Sequence, residues 1–386
     1  IASYQNYDRD YYGAERIQAN AIGSAVRNLN RAKTNEYTYN QQVNLTGHFQ
    51  VLGIKNTLLV GVDADQSRVS SNAFNYRNQA GDLVATFNYG TMNVFDPSTY
   101  LGNGFMPEAV AISTTLTPVY RYGAFVQNLF EITNSFKVLA GIRYTDQKTA
   151  SVQKTDLATG ETTSTAAKFD DAFSPKLGFI YQPFKNTSVY VSYANNFTIN
   201  TGIDIATDGP MAPSIIDQYE AGLKNDFFGG KLSANLTYYV ISNSNLAQAA
   251  LLDPTKKEFS GATRSDGLEV DLSGTLAKGL NIIAGYAYNF MRFTKTLPTG
   301  NVEGVRVVGS TKNTANATLF YTVQNGAVKG LKLGASAFYT GDRNGGWNDT
   351  KGAAASRIIP LKGFTTLDLS AGYSWRKFSL LGKLSN

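Results

Sequence analysis

The chain has 386 residues, a net charge of +6, 42% hydrophobic residues, one His and no Cys. No disulfide framework or Cys-based metal cage can form, and no apolar run is as long as the roughly 18 residues a transmembrane helix needs. Lys and Arg are scattered rather than clustered, so no nucleic-acid interface is expected.

A weakly marked strand near Ile1 to Tyr12 opens the chain with no secretory signal before it, so an upstream segment is expected. His48 falls beside an expected short turn and reads as a surface residue, without a second His to share a metal. Asp63 and Asp65 occupy one strand face and are expected to line a wet lumen beside Lys224 or Arg143. Ser67 to Val119 is the longest apparent loop, rich in Gly, Asn, Pro and aromatics, with short elements that cannot be placed. Within it Gly102, Asn103 and Gly104 lack the strand-then-helix setting of a phosphate loop.

Beyond Tyr122 the alternation is explicit. Val138, Ala140, Ile142 and Tyr144 oppose Lys137, Gly141 and Arg143; Val189, Val191 and Tyr193 oppose Ser188, Tyr190 and Ser192. Ser214 to Asn245 holds two period-two strands around a turn at Phe227, Phe228, Gly229 and Gly230. Its second strand sets Leu232, Ala234, Leu236, Tyr238 and Val240 against Lys231, Ser233, Asn235, Thr237 and Tyr239. Leu268, Val270 and Leu272 oppose Glu269, Asp271 and Ser273, with Glu269 and Asp271 likewise expected to line a wet lumen beside Lys224 or Arg143. Further rows follow at Leu331 to Tyr339 and Leu367 to Trp375, and the last strand is Phe378 to Ser385.

Each strand thus has one greasy and one wet face, which a soluble sandwich would share. The connections decide between them. Short turns at Glu131 to Ser135, Gln182 to Asn186, Asp226 to Gly230, Gly274 to Gly279, Gln324 to Gly330 and Arg376 to Lys377 alternate with long polar segments. The long segments are Asp146 to Asp171, Asn195 to Asp217, Ser242 to Thr263, Arg292 to Asn313 and Gly341 to Gly363. This rhythm, with Tyr144, Tyr193, Tyr339, Tyr373 and Trp375 toward the ends of apolar rows, predicts an all-β, transmembrane antiparallel β-barrel. A mean hydropathy of −0.22 is compatible, because alternate residues alone meet lipid. Counting apolar rows gives about 15 strands. An odd number with two open edges is expected to be part of a larger barrel.

Tyr122 to Tyr144 and Ser174 to Phe197 resemble successive strand pairs of TonB-dependent outer-membrane receptors. Tyr219, Glu220, Gly222 and Lys224, with Asn245, resemble the family's YE-x-G-x-K hairpin, Gly267 and Glu269 its G-x-E strand, and Leu381 to Asn386 the start of its penultimate strand. The likeness is closest to the ferric-siderophore branch and departs at Pro213-Ser214, where the family usually has Pro-Glu. It implies that residues 1–386 are a partial barrel of about 22 strands, with the amino-terminal plug, roughly the first six strands and the last strand absent. It also implies a bacterial outer-membrane location and import of a ferric siderophore, powered by the TonB-ExbB-ExbD complex through the missing amino-terminal region.

A ferric siderophore is oxygen-rich and often anionic, which suits Arg forks and aromatic faces. Expected ligand contacts at strand tops and loops are Arg121, Arg143, Phe197, Arg264, Arg292, Arg343 and Trp347. Solvated loops or lipopolysaccharide contacts are the alternative for each. Iron would arrive inside its chelator, so no cofactor and no protein-held metal is expected. No nucleophile with a base is found, and the paired carboxylates fit a wet lumen better than acid–base work, so no enzyme is expected. A passive or substrate-selective porin, or a receptor for cobalamin, haem or a sugar, remains an alternative.

Overall fold

Tight turns reverse the chain wherever the alternation breaks. Leu52 (φ 52°) and Gly53 (φ 81°) link two strands with both residues in the left-handed region, the backbone a two-residue hairpin prefers. Phe228, Gly229 and Gly230 also have positive φ at the turn read from sequence. The structure, a computed structural model, describes residues 1–14, 22–102, 104–250, 252–253, 255–352 and 358–386. Asn103 and parts of two expected loops, residues 251, 254 and 353–357, lie outside that set.

Among the described residues, fifteen strands form an up-and-down meander. They are β1 (Ala2–Ala14), β2 (Ser24–Val51), β3 (Ile54–Arg77), β4 (Glu108–Glu131), β5 (Phe136–Thr149), β6 (Lys168–Phe184), β7 (Thr187–Thr198) and β8 (Ser214–Phe227). The second half comprises β9 (Leu232–Ala249), β10 (Lys257–Ala277), β11 (Leu280–Thr296), β12 (Asn313–Thr322), β13 (Lys332–Thr340), β14 (Phe364–Trp375) and β15 (Phe378–Ser385). Each is antiparallel to the next, and short pieces near the loops bring the sheet to 20 strands. Arg343–Gly346 and Ile358–Leu361 form a separate ribbon. Among the described residues no pairing joins β1 to β15.

The apolar rows face outward and are left exposed, as lipid-facing residues must be. Val62, Ile142, Val191, Leu236 and Leu369 are all exposed, on strands whose opposite faces carry the polar residues. Aromatics edge this band. Tyr144 packs on Phe173 at 5.0 Å and Tyr193 on Tyr219 at 5.1 Å near the loop end, while Phe136 stacks on Phe179 at 6.4 Å near the turn end. The row from Phe136 to Tyr144 covers about 27 Å of strand, or roughly 20 Å of bilayer height at the usual tilt.

Several long segments read as loops are strand. β3 and β4 stay paired from Ser67↔Val119 to Arg77↔Glu108, so Ser67 to Val119 is a loop in its middle alone. That middle contains short strands, and Phe87 packs with Leu29 and Tyr76 into a small buried cluster. Ser242 to Thr263 is likewise mostly the paired ends of β9 and β10. Above the lipid the outward row need not be apolar, so the side-chain alternation ends while the backbone ladder continues.

Candidate functional site

Strand parity sorts the expected ligand residues into those that face the lumen and those that do not. On β4 the outward row contains Tyr122 and Val126, so Arg121, Gly123 and Phe125 face inward; on β5, Arg143, Thr145 and Gln147 do. Asp63 and Asp65 of β3 share that face. Arg143 grips Asp63 with two hydrogen bonds, Nη1 to Oδ2 at 2.7 Å and Nη2 to Oδ1 at 2.8 Å, and donates Nε to Thr145 at 2.9 Å. It crosses β4 to do so. A Cβ on Gly123 would lie 2.0 Å from Arg143 Nη2, so any side chain there would displace the guanidinium from its path to Asp63.

Arg121 sits one layer nearer the loops. It donates Nη1 to Asp65 at 2.7 Å and Nε to Gln147 at 2.6 Å, and its side chain is 45% exposed. Gln147 stands opposite Asp170 of β6, whose carboxylate takes Lys168 Nζ at 3.0 Å; Lys168 also donates to the Asn200 carbonyl at 2.6 Å. A polar ladder therefore crosses β3 to β6 on the lumen wall and ends at the loop after β7. Gln147, Lys168, Asp170 and Asn200 were not among the expected contacts, although the parity of Arg143 extends directly to Gln147.

The other expected residues divide differently. Phe197 belongs to the outward row of β7 with Val191 and Tyr193, so the structure places it on the outer surface rather than the lumen. Arg264 and Arg292 stand directly opposite each other and continue the outward rows of Leu268 and Tyr288. They share Asp266 and also face away from the lumen. Arg343 lies over the ring of Phe364 at 5.5 Å on the loop-end ribbon, and Trp347 follows it, half-buried. The structure thus brings Arg121 with Arg143, Arg264 with Arg292, and Arg343 near Trp347, but does not gather all seven.

The lumen carboxylates have mixed surroundings. Asp63 has Arg143, one of the two cations expected, whereas Asp271 stands opposite Asn235, itself opposite Lys224, whose Nζ lies 5.3 Å from the Tyr190 ring centroid. His48, exposed near the Leu52-Gly53 turn, meets Thr57 Oγ1 at 3.2 Å. Among the described residues no group of three or more His, Cys, Asp or Glu could hold a metal ion.

A family model for the β-barrel of TonB-dependent receptors matches residues 2–386. The chain belongs to the TonB-dependent receptor β-barrel family. It is similar to the metal-pseudopaline receptor CntO of Pseudomonas aeruginosa, at 27% identity over 258 residues, covering 67% of this chain and 35% of that protein. It is also similar to the ferric-pyoverdine 358 receptor of Pseudomonas putida, 26% identical over 305 residues, covering 74% of this chain and 35% of the relative. The crystal structure of the siderophore receptor PiuA from Acinetobacter baumannii shares the fold with a TM-score of 0.77 at 20% identity, over 97% of this chain and 55% of that one. The chain spans about a third of the length of these curated relatives and about half of the solved structure's chain. Its sheet is the wall of an outer-membrane receptor barrel.

Proposed function

We propose that the protein binds a ferric siderophore at its extracellular mouth and imports it with energy from the TonB-ExbB-ExbD complex, through a plug in a longer receptor. The observation that carries the ligand side is Arg121. Among the seven expected contacts it combines a lumen-facing position at the loop end with high exposure. Arg143 commits Nε, Nη1 and Nη2 to the wall, so its first role is to hold β3, β4 and β5 in register. The names of the relatives, which speak of metal-pseudopaline and ferric pyoverdine, support a metal-chelate ligand.

The test uses the full-length protein and a panel of anionic ferric siderophores. A charge-assisted hydrogen bond contributes about 1.5 to 3 kcal/mol, so Arg121→Ala should weaken binding of the cognate chelate roughly 10 to 150 fold. Arg143→Ala should instead lower resistance to urea unfolding, by uncovering Asp63. Deleting the gene in a strain without redundant receptors should abolish iron-limited growth on one member of the panel. Unchanged uptake of every siderophore would refute the transport reading.

A further inference from the structure

The outer surface above the aromatic girdle carries opposite charges on different strands. On β5, β6 and β8 the outward residues above Tyr144, Phe173 and Tyr219 are Asp146, Asp171 and Asp217. On β10 and β11 the outward rows end in Arg264 and Arg292. These two stand directly opposite one another, a like-charged pairing that destabilises a sheet unless an anion lies between. Asp266 supplies one such anion, taking Arg264 Nε at 2.9 Å and Nη2 at 2.8 Å and Arg292 Nη1 at 2.5 Å. One carboxylate cannot neutralise two guanidinium groups. Lys312 adds a third cation, its Nζ 5.5 Å from the ring centroid of Tyr288 on the same outward row. The patch is therefore a net cation set on aromatic rings, above the lipid band and outside the lumen, with 42% of the Arg264 side chain exposed.

We propose that Arg264, Arg292 and Lys312 bind phosphate groups of lipopolysaccharide, the phosphorylated glycolipid of the outer leaflet. Asp266 engages Arg292 through Nη1, so the Nε and Nη2 edge of Arg292 can match phosphate oxygens bidentately while Arg264 and Lys312 add charge, and the aromatic rings beneath provide the apolar-to-polar boundary at which a lipid phosphate sits. Asp217 stands level with Arg264 two strands away, across Ser242, and bounds the cationic patch on that side, with Asp146 and Asp171 farther round the girdle. The proposal does not depend on which ligand the lumen takes.

The full-length protein, purified from outer membranes in detergent, would be titrated with fluorescent bisphosphorylated lipid A. Comparison ligands are the same lipid A after phosphatase treatment and micellar phosphatidylglycerol. Arg264→Ala with Arg292→Ala should weaken binding of bisphosphorylated lipid A about tenfold or more, as loss of two charge-assisted contacts requires. Phosphatase treatment should weaken binding to the unaltered protein by a similar factor, and phosphatidylglycerol should bind less well than lipid A. Lys148→Ala, at an outward lysine on β5, should leave binding unchanged. Full binding by the double variant, equal binding after phosphatase, a preference for phosphatidylglycerol, or an equal loss from Lys148→Ala would each overturn the proposal. If the double variant does not reach the heat-resistant folded form, Asp266→Asn decides: it keeps both guanidinium groups and removes their competitor, so binding must tighten. Unchanged or weaker binding there overturns the proposal.

Discussion

Gly222 and Gly267 show what a motif glycine does inside this wall. A Cβ on Gly222 would lie 2.4 Å from Tyr190 Cε1, and one on Gly267 would lie 2.1 Å from Tyr239 Cζ. Each inward tyrosine lies across the adjacent strand, and the Tyr190 hydroxyl reaches Thr237 at 2.9 Å, two strands away. Gly222→Ala should therefore cost about 1 to 3 kcal/mol as an overpacking change. Combining it with Tyr190→Leu should recover part of that loss in urea-driven refolding into lipid vesicles; additive losses would refute the steric account. The motif residues were legible in sequence because alternation fixes their face. The partners across strands were not, because register is a tertiary property. Arg264 and Arg292 show the same limit: the Leu268 row predicts an outward Arg264, but above the lipid polarity no longer marks the face.

At the scale of elements, the apolar rows identified the strands well and their upper ends poorly. Leu236 tests the first part. It lies outward near the middle of β9, while its neighbour Asn235 faces the lumen opposite Asp271. Leu236→Arg should destabilise by about 2 to 4 kcal/mol, the cost of a cation near the bilayer midplane. Asn235→Arg should cost much less, since water and a carboxylate meet the new charge. Equal losses on refolding would reject the assigned faces. The loops above add a second element-scale prediction. Glu303 accepts from Lys351 Nζ at 2.9 Å and from the Thr296 amide at 2.9 Å, clasping the loop after β11 to the loop after β13. The Lys351 contact, then the Thr296 amide, hold its carboxyl below the ordinary glutamate value of 4.5. A depressed value in the closed clasp means its contribution is fully present above 4.5 and lost as pH falls through the lower value. The amides of Val302 and Lys351, bonded across the two loops, should exchange slowly at neutral pH and faster in acid after correction for intrinsic rates. Glu303→Gln should show the faster exchange at neutral pH, and protection that is flat across the acid range would contradict the clasp.

For the whole molecule, orientation follows from the asymmetry between the two ends of the meander. Seven links join the strands at one end, most of them brief, such as Leu52-Gly53 and Arg376-Lys377, and at the other end the strands rise past the girdle into interlocked loops. A bilayer permits this because backbone groups within it must pair along the ladder, whereas those beyond it can also pair with side chains and water. The loop end does so: Arg306 donates to the Asp342 carbonyl and Asn344, and Lys256 to Asp208 at 2.7 Å. Such a surface suits the outside of the cell, and the terse turns suit the periplasm. Cys placed at Thr159 or Thr299 should therefore react with a membrane-impermeant maleimide on intact cells, whereas Cys at Gly229 should react after the outer membrane is permeabilised. Strong labelling at Gly229 with none at the other two positions would invert the molecule, move Arg121 to the periplasmic side, and remove the basis for ligand capture at this mouth.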